Sequence, residues 1–254
     1  WSRSTLPIPL PIPARTPTES RASGHDVGAG FRRLMVEIQV ELPTGPAAVS
    51  ADWAPGDNGA TVIVAHGAGT GKDHPFLTGY VDALSESGFS TLRFNFPYVE
   101  QGRRMPGPAP HAIATWNAVV AFARSADPAA TVWATGKSYG GRMASMAVAE
   151  GLRVDGLAYL GYPLHPPGRP EKPRIEHLPD ITVPQLFVEG TNDPFIQPLS
   201  QFEEAVASCR DARVVWVDGG GHTFEVKGRK RPAEQIGASL APIVAEFVRA
   251  RRSG

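Results

Sequence analysis

The sequence predicts an α/β fold: a mostly parallel central sheet opened by an antiparallel pair, with helices on both faces and no substantial cap domain. Three observations lead there. Apolar runs such as Thr61-Val62-Ile63-Val64-Ala65 read as strands buried on both faces. From that run onward, strand-like segments alternate with helix-like ones, which calls for right-handed crossovers between parallel strands. Between Tyr162 and Ile181 only about twenty proline-rich residues intervene, too few for a helical cap.

Taken in order, residues 34–42 alternate apolar and polar side chains, the period of a strand with one face buried, and Pro43 to Pro46 turn the chain. Residues 48–53 form the antiparallel partner and residues 61–65 the first buried strand. A helix over 76–87, a strand over 90–96, a helix over 112–124 and a strand over 131–135 come next. The spacing then predicts a helix over 139–150, strands near 156–160 and 185–189, a helix over 195–208, a strand over 213–217 and a closing helix over 233–251. Ahead of all these, the alternating prolines from Leu6 to Pro13 forbid the continuous helix of a signal peptide or membrane span. Residues 16–30 are rich in Ser, Thr, Gly and Pro. Residues 1–30 are therefore expected to be a disordered tail, and residues 31–254 a single domain.

Composition narrows the function. The 254 residues carry 25 Lys and Arg against 25 Asp and Glu, so net charge gives no reason to expect nucleic acid or an anionic membrane as partner. The single cysteine, Cys209, excludes an internal disulfide and a cysteine-based metal site, which fits a reducing, cytoplasmic setting. It reads as an inert helix residue. No metal is expected, because the histidines lack ligand spacing, and His74 and His165 read as loop or surface residues. A protein partner is compatible with the sequence but not indicated by it.

The chemistry gathers where buried strands end. After the strand at 131–135 comes Gly136-Lys137-Ser138-Tyr139-Gly140, the G-x-S-x-G pattern of a nucleophile elbow. There the serine is lifted clear at a strained turn, and side chains at Gly136 and Gly140 would collide with their neighbours. After the strand at 185–189 comes Asp193 and after that at 213–217 comes His222. His222 can take the proton of Ser138 while Asp193 fixes the imidazole tautomer. Asp180 and Asp218 compete for the acid role, but Asp180 precedes its strand and Asp218 reads as a turn residue. After residues 61–65 comes His66-Gly67-Ala68-Gly69. The Ala68 N–H, with that of Tyr139, can form a two-donor oxyanion hole, Gly67 and Gly69 letting the backbone approach substrate and His66 orienting the loop. Tyr98, Tyr162 and Phe195 are candidate pocket walls, Trp116 core packing, and Arg103-Arg104 a solvated charge pair. Arg142 is expected to brace nearby loops through hydrogen bonds, while Lys137 faces either pocket or solvent.

Two nucleotide readings fail. A P-loop ending at Gly136-Lys137-Ser138 would need its leading glycine at Thr131, and Gly67-Ala68-Gly69-Thr70-Gly71-Lys72 has Lys72 where a dinucleotide fingerprint needs its third glycine.

The order Ser, Asp, His is that of the α/β-hydrolases, and from about residue 34 the chain resembles that superfamily, including dienelactone hydrolase-like enzymes. More narrowly, the stretch from Gly161-Tyr162-Pro163 to Pro170-Glu171-Lys172, His177-Leu178-Pro179-Asp180 and Gly190-Thr191-Asn192-Asp193-Pro194-Phe195 look like the testis-expressed hydrolase-like and histone-acetyltransferase-complex (NSL) subunit group, which has bacterial members. The resemblance implies the fold and the triad Ser138, Asp193 and His222. Dienelactone hydrolases proper use a cysteine, so Ser138 departs from them and their lactone chemistry is not implied. The expectation is a cofactor-free serine hydrolase acting on a small acyl substrate, an ester, thioester or amide. A catalytically silent scaffold and a perhydrolase are the alternatives.

Overall fold

The structure, a computed structural model, describes residues 32–252; the tail expected over residues 1–30 lies outside them. Eight strands form one sheet in the order β1-β2-β4-β3-β5-β6-β7-β8. β1 (Leu34–Leu42) and β2 (Gly45–Ala54) are antiparallel, and β2 is also antiparallel to β4 (Ser90–Phe94). β3 (Ala60–Ala65), β4, β5 (Thr131–Lys137), β6 (Gly156–Leu160), β7 (Gln185–Gly190) and β8 (Ala212–Val217) pair in parallel. The α/β architecture read from the sequence is the one observed.

The strands form where the pattern demands. In β1, Ile38, Val40 and Leu42 are buried while Glu37, Gln39 and Glu41 are exposed, as expected for a strand with one wet face. All of β3 is buried. Helices α1 (Pro75–Glu86) and α6 (Ala233–Arg252) pack Phe76, Leu77, Tyr80, Ile236, Leu240 and Val244 against one face. α3 (Ala109–Ala126), α4 (Tyr139–Ala149) and α5 (Leu199–Ala207) place Trp116, Val119, Met143 and Phe202 in the cluster on the other. The loops at the carboxyl ends of β3, β5, β7 and β8 therefore share one edge, and that edge carries the candidate site.

Two elements differ from the sequence reading. α5 begins at Leu199 rather than near residue 195, because residues before a proline avoid the helical region and Pro198 stands just ahead of the helix. Residues 194–197 instead serve loop partners: Phe195 N–H donates to Asp193, and the Gln197 carbonyl lies 2.8 Å from His165 Nε2. A short helix, α2 (Pro97–Glu100), replaces an expected loop, with proline at its first position where no N–H is needed. Between β6 and β7 the only helical turn is the 3₁₀ segment Leu178–Asp180, so that stretch builds no cap. Cys209 lies just beyond α5 with its Sγ 3.5 Å from the Ala205 carbonyl, and burial pushes its thiol up to about 11.

Candidate active site

At the end of β5 the chain turns through Ser138, whose φ of 49° and ψ of −114° lie where non-glycine residues rarely sit. The strain is held by hydrogen bonds on both sides: Ser138 N–H donates to Leu160 O at 3.0 Å and Ser138 O accepts from Arg142 N–H at 3.1 Å. The turn leaves no room at the flanking glycines. A Cβ on Gly136 would stand 2.3 Å from Gly141 N, and one on Gly140 2.6 Å from His66 O. Trp116, fully buried, also donates its indole N–H to Gly140 O at 3.3 Å.

The other two residues arrive on loops after β7 and β8 that are tied to each other. Asn192 N–H donates to Gly220 O at 2.8 Å, and Gly219 N–H to Thr191 Oγ1 at 2.8 Å. The backbones approach so closely that a Cβ on Gly190 would fall 2.2 Å from Gly220 O. This contact brings Asp193 to His222: Nδ1 stands 2.7 Å from Asp193 Oδ2, and Nε2 stands 2.8 Å from Ser138 Oγ. Asp193 is fully buried; its other oxygen accepts the Phe195 N–H at 2.8 Å. The Phe195 ring stacks on the imidazole at 4.1 Å between centroids. Asp180 and Asp218 are exposed. Gly190→Ala is expected to push the two loops apart and lower kcat by about 10²-fold, the cost of roughly an ångström of misplacement, with the circular dichroism spectrum unchanged. Wild-type turnover in that variant would refute the coupling.

The loop after β3 is fixed by His66, which is fully buried. Its Nε2 accepts the Phe96 N–H at 3.1 Å, so Nδ1 carries the proton and donates to Gly67 O at 2.8 Å. Burial pushes the imidazole down to about 4, leaving it neutral at physiological pH. Thr70 Oγ donates to the same carbonyl at 3.0 Å, and Gly69 takes a φ of 78°, a conformation glycine adopts without strain. Ala68 and Tyr139 both border the cavity at Ser138. As the first residue of α4, Tyr139 has an N–H with no intrahelical acceptor.

Residues 58–249 match the family described as the alpha/beta hydrolase domain. The chain belongs to the alpha/beta hydrolase family. Among solved structures, it is similar to an alpha/beta serine hydrolase homologue from Coxiella burnetii at TM-score 0.65 and 18% identity, covering 84% of this chain and 97% of that one. A serine hydrolase without lid from Xanthomonas campestris matches at TM-score 0.64 and 20% identity, over 84% of this chain and 94% of the other. Dienelactone hydrolase from Anabaena variabilis matches at TM-score 0.66 and 17% identity, over 86% and 98%. At these identities the three share the fold with this hydrolase domain.

Above Ser138 the hydrolase domain has a cavity of about 620 Å³ whose walls include Phe76, Met105, Phe195, His222 and Ile236. Of the three candidate pocket walls, Phe195 borders this cavity and Tyr98 and Tyr162 do not. Tyr162 is fully buried, its hydroxyl donating to Arg174 O at 3.0 Å, and Tyr98 packs edge-on against His66 and lines a separate small cleft. Large aromatics gain more from burial among Phe96, Tyr159 and Phe187 than from a wet wall. His165 lies in a loop, as read, but is buried there, with both ring nitrogens 2.8 Å from carbonyl oxygens. Arg142 braces no loop: its side chain has no hydrogen-bond or ion-pair partner among the described residues.

Two ionisable residues beside Ser138 and His222 carry more than the sequence suggested. Lys137 borders the cavity; its Nζ stands 5.6 Å from the Phe224 ring centroid, and burial pushes it down to about 8 against the pull of Asp193 and Glu189. Glu189 is fully buried at the end of β7 and accepts the Tyr162 N–H, while its Oε2 has no protein partner among the described residues. Burial holds this carboxyl well above the usual range. A lone acid closing the apolar run Leu186-Phe187-Val188-Glu189 was the available signal.

Proposed function

We propose that the protein is a serine hydrolase that cleaves a small carboxylic ester, thioester or amide through an acyl-enzyme on Ser138. The observation that carries this reading is the continuous hydrogen-bonded line from Ser138 Oγ through His222 to buried Asp193 at the base of an open cavity. Ser138 Oγ attacks the carbonyl carbon as its proton passes to His222 Nε2, and the imidazolium is stabilised by the Asp193 carboxylate. The oxyanion is held by the Ala68 and Tyr139 N–H groups. His222 returns the proton to the leaving group as the carbon–heteroatom bond breaks, and water repeats the sequence on the acyl-enzyme. Without a cap, short or solvent-presented acyl groups fit best. The proline-rich stretch keeps the narrower resemblance to the testis-expressed and NSL subunit group as part of this reading.

A fluorophosphonate probe is expected to label the wild type on Ser138 and leave Ser138→Ala unlabelled. Labelling that is absent from both, or equal in both, rejects the nucleophile; absent labelling with a folded protein returns the scaffold alternative. A series of p-nitrophenyl esters of increasing acyl length then reports pocket size, and peroxide-dependent halogenation with negligible ester turnover would favour the perhydrolase.

The pH profile follows from the histidine. Burial lowers the His222 pKa from 6.5, the hydrogen bond to Asp193 raises it, and Lys137 lowers it further. Only the neutral imidazole accepts the serine proton, so kcat/KM should fall as pH drops through a midpoint below 6.5 and stay level just above it. Lys137→Met removes the neighbouring positive charge and should move that midpoint to higher pH. A midpoint above 6.5 in the wild type, or a downward move in the variant, contradicts the assignment.

A further inference from the structure

The cavity at Ser138 is lined by two arginines that have no ion-pair partner among the described residues. Arg142 stands on α4 one turn beyond the nucleophile, its N–H bonded to Ser138 O at 3.1 Å, which places its Cα about 6 Å along the helix from that of Ser138. Arg174 comes from the proline-rich segment between β6 and β7, and its backbone is pinned on both sides: its N–H donates to Leu164 O at 2.8 Å and its carbonyl accepts the Tyr162 hydroxyl at 3.0 Å. Both residues line the cavity.

Neither arginine has a carboxylate within ion-pair distance among the described residues. The Arg142 Nε is buried with no hydrogen-bond partner. Burial lowers the Arg174 pKa first, and the Arg142 charge lowers it further. The one carboxylate on the cavity wall, Glu225, is exposed and pairs with neither. Half-buried guanidiniums that line one cavity without a paired carboxylate are unfavourable. Their planar forks match a carboxylate or phosphate through two parallel hydrogen bonds. Lys137, on the same wall, adds a third positive group.

We propose that Arg142 and Arg174 form an anion subsite, so that the substrate is an ester bearing a carboxylate or phosphate a few bonds from the scissile carbonyl. This rests on the serine-hydrolase reading for its chemistry, and its test separates the two. In the wild type at low salt, p-nitrophenyl hemiglutarate is expected to exceed its neutral counterpart, p-nitrophenyl valerate, at least tenfold in kcat/KM. That ratio should drop about tenfold in Arg142→Gln and again in Arg174→Gln, and shrink as salt is added. A ratio at or below one in the wild type overturns the subsite, as does a ratio unchanged in both variants, including variants that lose thermal stability.

The second arm needs no turnover. Calorimetry on Ser138→Ala should show saturable binding of glutarate or of inorganic phosphate, lost when Arg142→Gln or Arg174→Gln is added; the anion that binds identifies the group. Arginine-dependent binding without hydrolysis of any ester keeps the subsite and rejects the hydrolase. Ester turnover with no anion preference, and no binding of either anion, rejects the subsite alone.

Discussion

Asp193→Asn is expected to lower kcat by about 10⁴-fold while leaving the fold intact. The carboxylate accepts the His222 Nδ1–H at 2.7 Å, which leaves Nε2 unprotonated toward Ser138 Oγ. An asparagine that turns its amide N–H toward Nδ1 moves the imidazole proton to Nε2, where it faces the serine and cannot accept. Asp193 Oδ1 also takes the Phe195 N–H, a bond the asparagine carbonyl preserves if it keeps that side. Thermal unfolding within a few degrees of wild type would show that the loss is chemical. Asp218→Asn and Asp180→Asn, both at exposed positions, should retain most activity. If Asp193→Asn keeps a tenth of wild-type kcat, or Asp218→Asn is the crippling change, the acid is misassigned.

The second large effect concerns stability. Asp52 is buried, and its carboxylate receives Lys72 Nζ at 3.0 Å on each oxygen and Arg93 Nε at 2.8 Å. Arg93 continues to Thr78 Oγ1 at 2.8 Å and to Asp73 at 3.2 Å. Lys72 N–H is held by Asn95 Oδ1 at 2.8 Å, so the network joins β2 and β4 to the start of α1. Asp52→Ala leaves two buried cations sharing only Asp73, whose side chain is 70% exposed. The expected cost is about 3–5 kcal/mol, or on the order of ten degrees in Tm. Denaturant unfolding should show the midpoint falling with an unchanged m-value; a loss below about 1 kcal/mol would mean that water or relaxation satisfies the cations. Because Gly67 to Gly69 lie on the same loop as Lys72, any hydrolytic activity should also decline before global unfolding as temperature rises.

Much of the site was legible without coordinates, because each part is written locally. Gly136 and Gly140 bracket Ser138 in a pattern set by collisions with residues a few positions away or on the adjoining strand. Strand ends that feed one edge of a parallel sheet then bring Asp193 and His222 there whatever the detail between them. The sequence was silent where the outcome depends on partners distant in the chain. Tyr98 and Tyr162 have the composition of pocket walls, yet their neighbours His66, Tyr159 and Phe187 draw them into the core. Lys72 registered only as a residue that spoils a nucleotide motif, and its ion pair spans 20 positions to Asp52.

By itself, the order of periodic segments and motifs determined the α/β sheet, its antiparallel opening and the identity of the aligned Ser138, His222 and Asp193, since strand period and turn chemistry are short-range properties. Only the tertiary structure decided which charges meet. It gave Asp52 its two cations and left Arg142 and Arg174 on the cavity wall with no ion-pair partner among the described residues, because the energy of a charge depends on what the fold places within a few ångströms of it, and no local pattern specifies that.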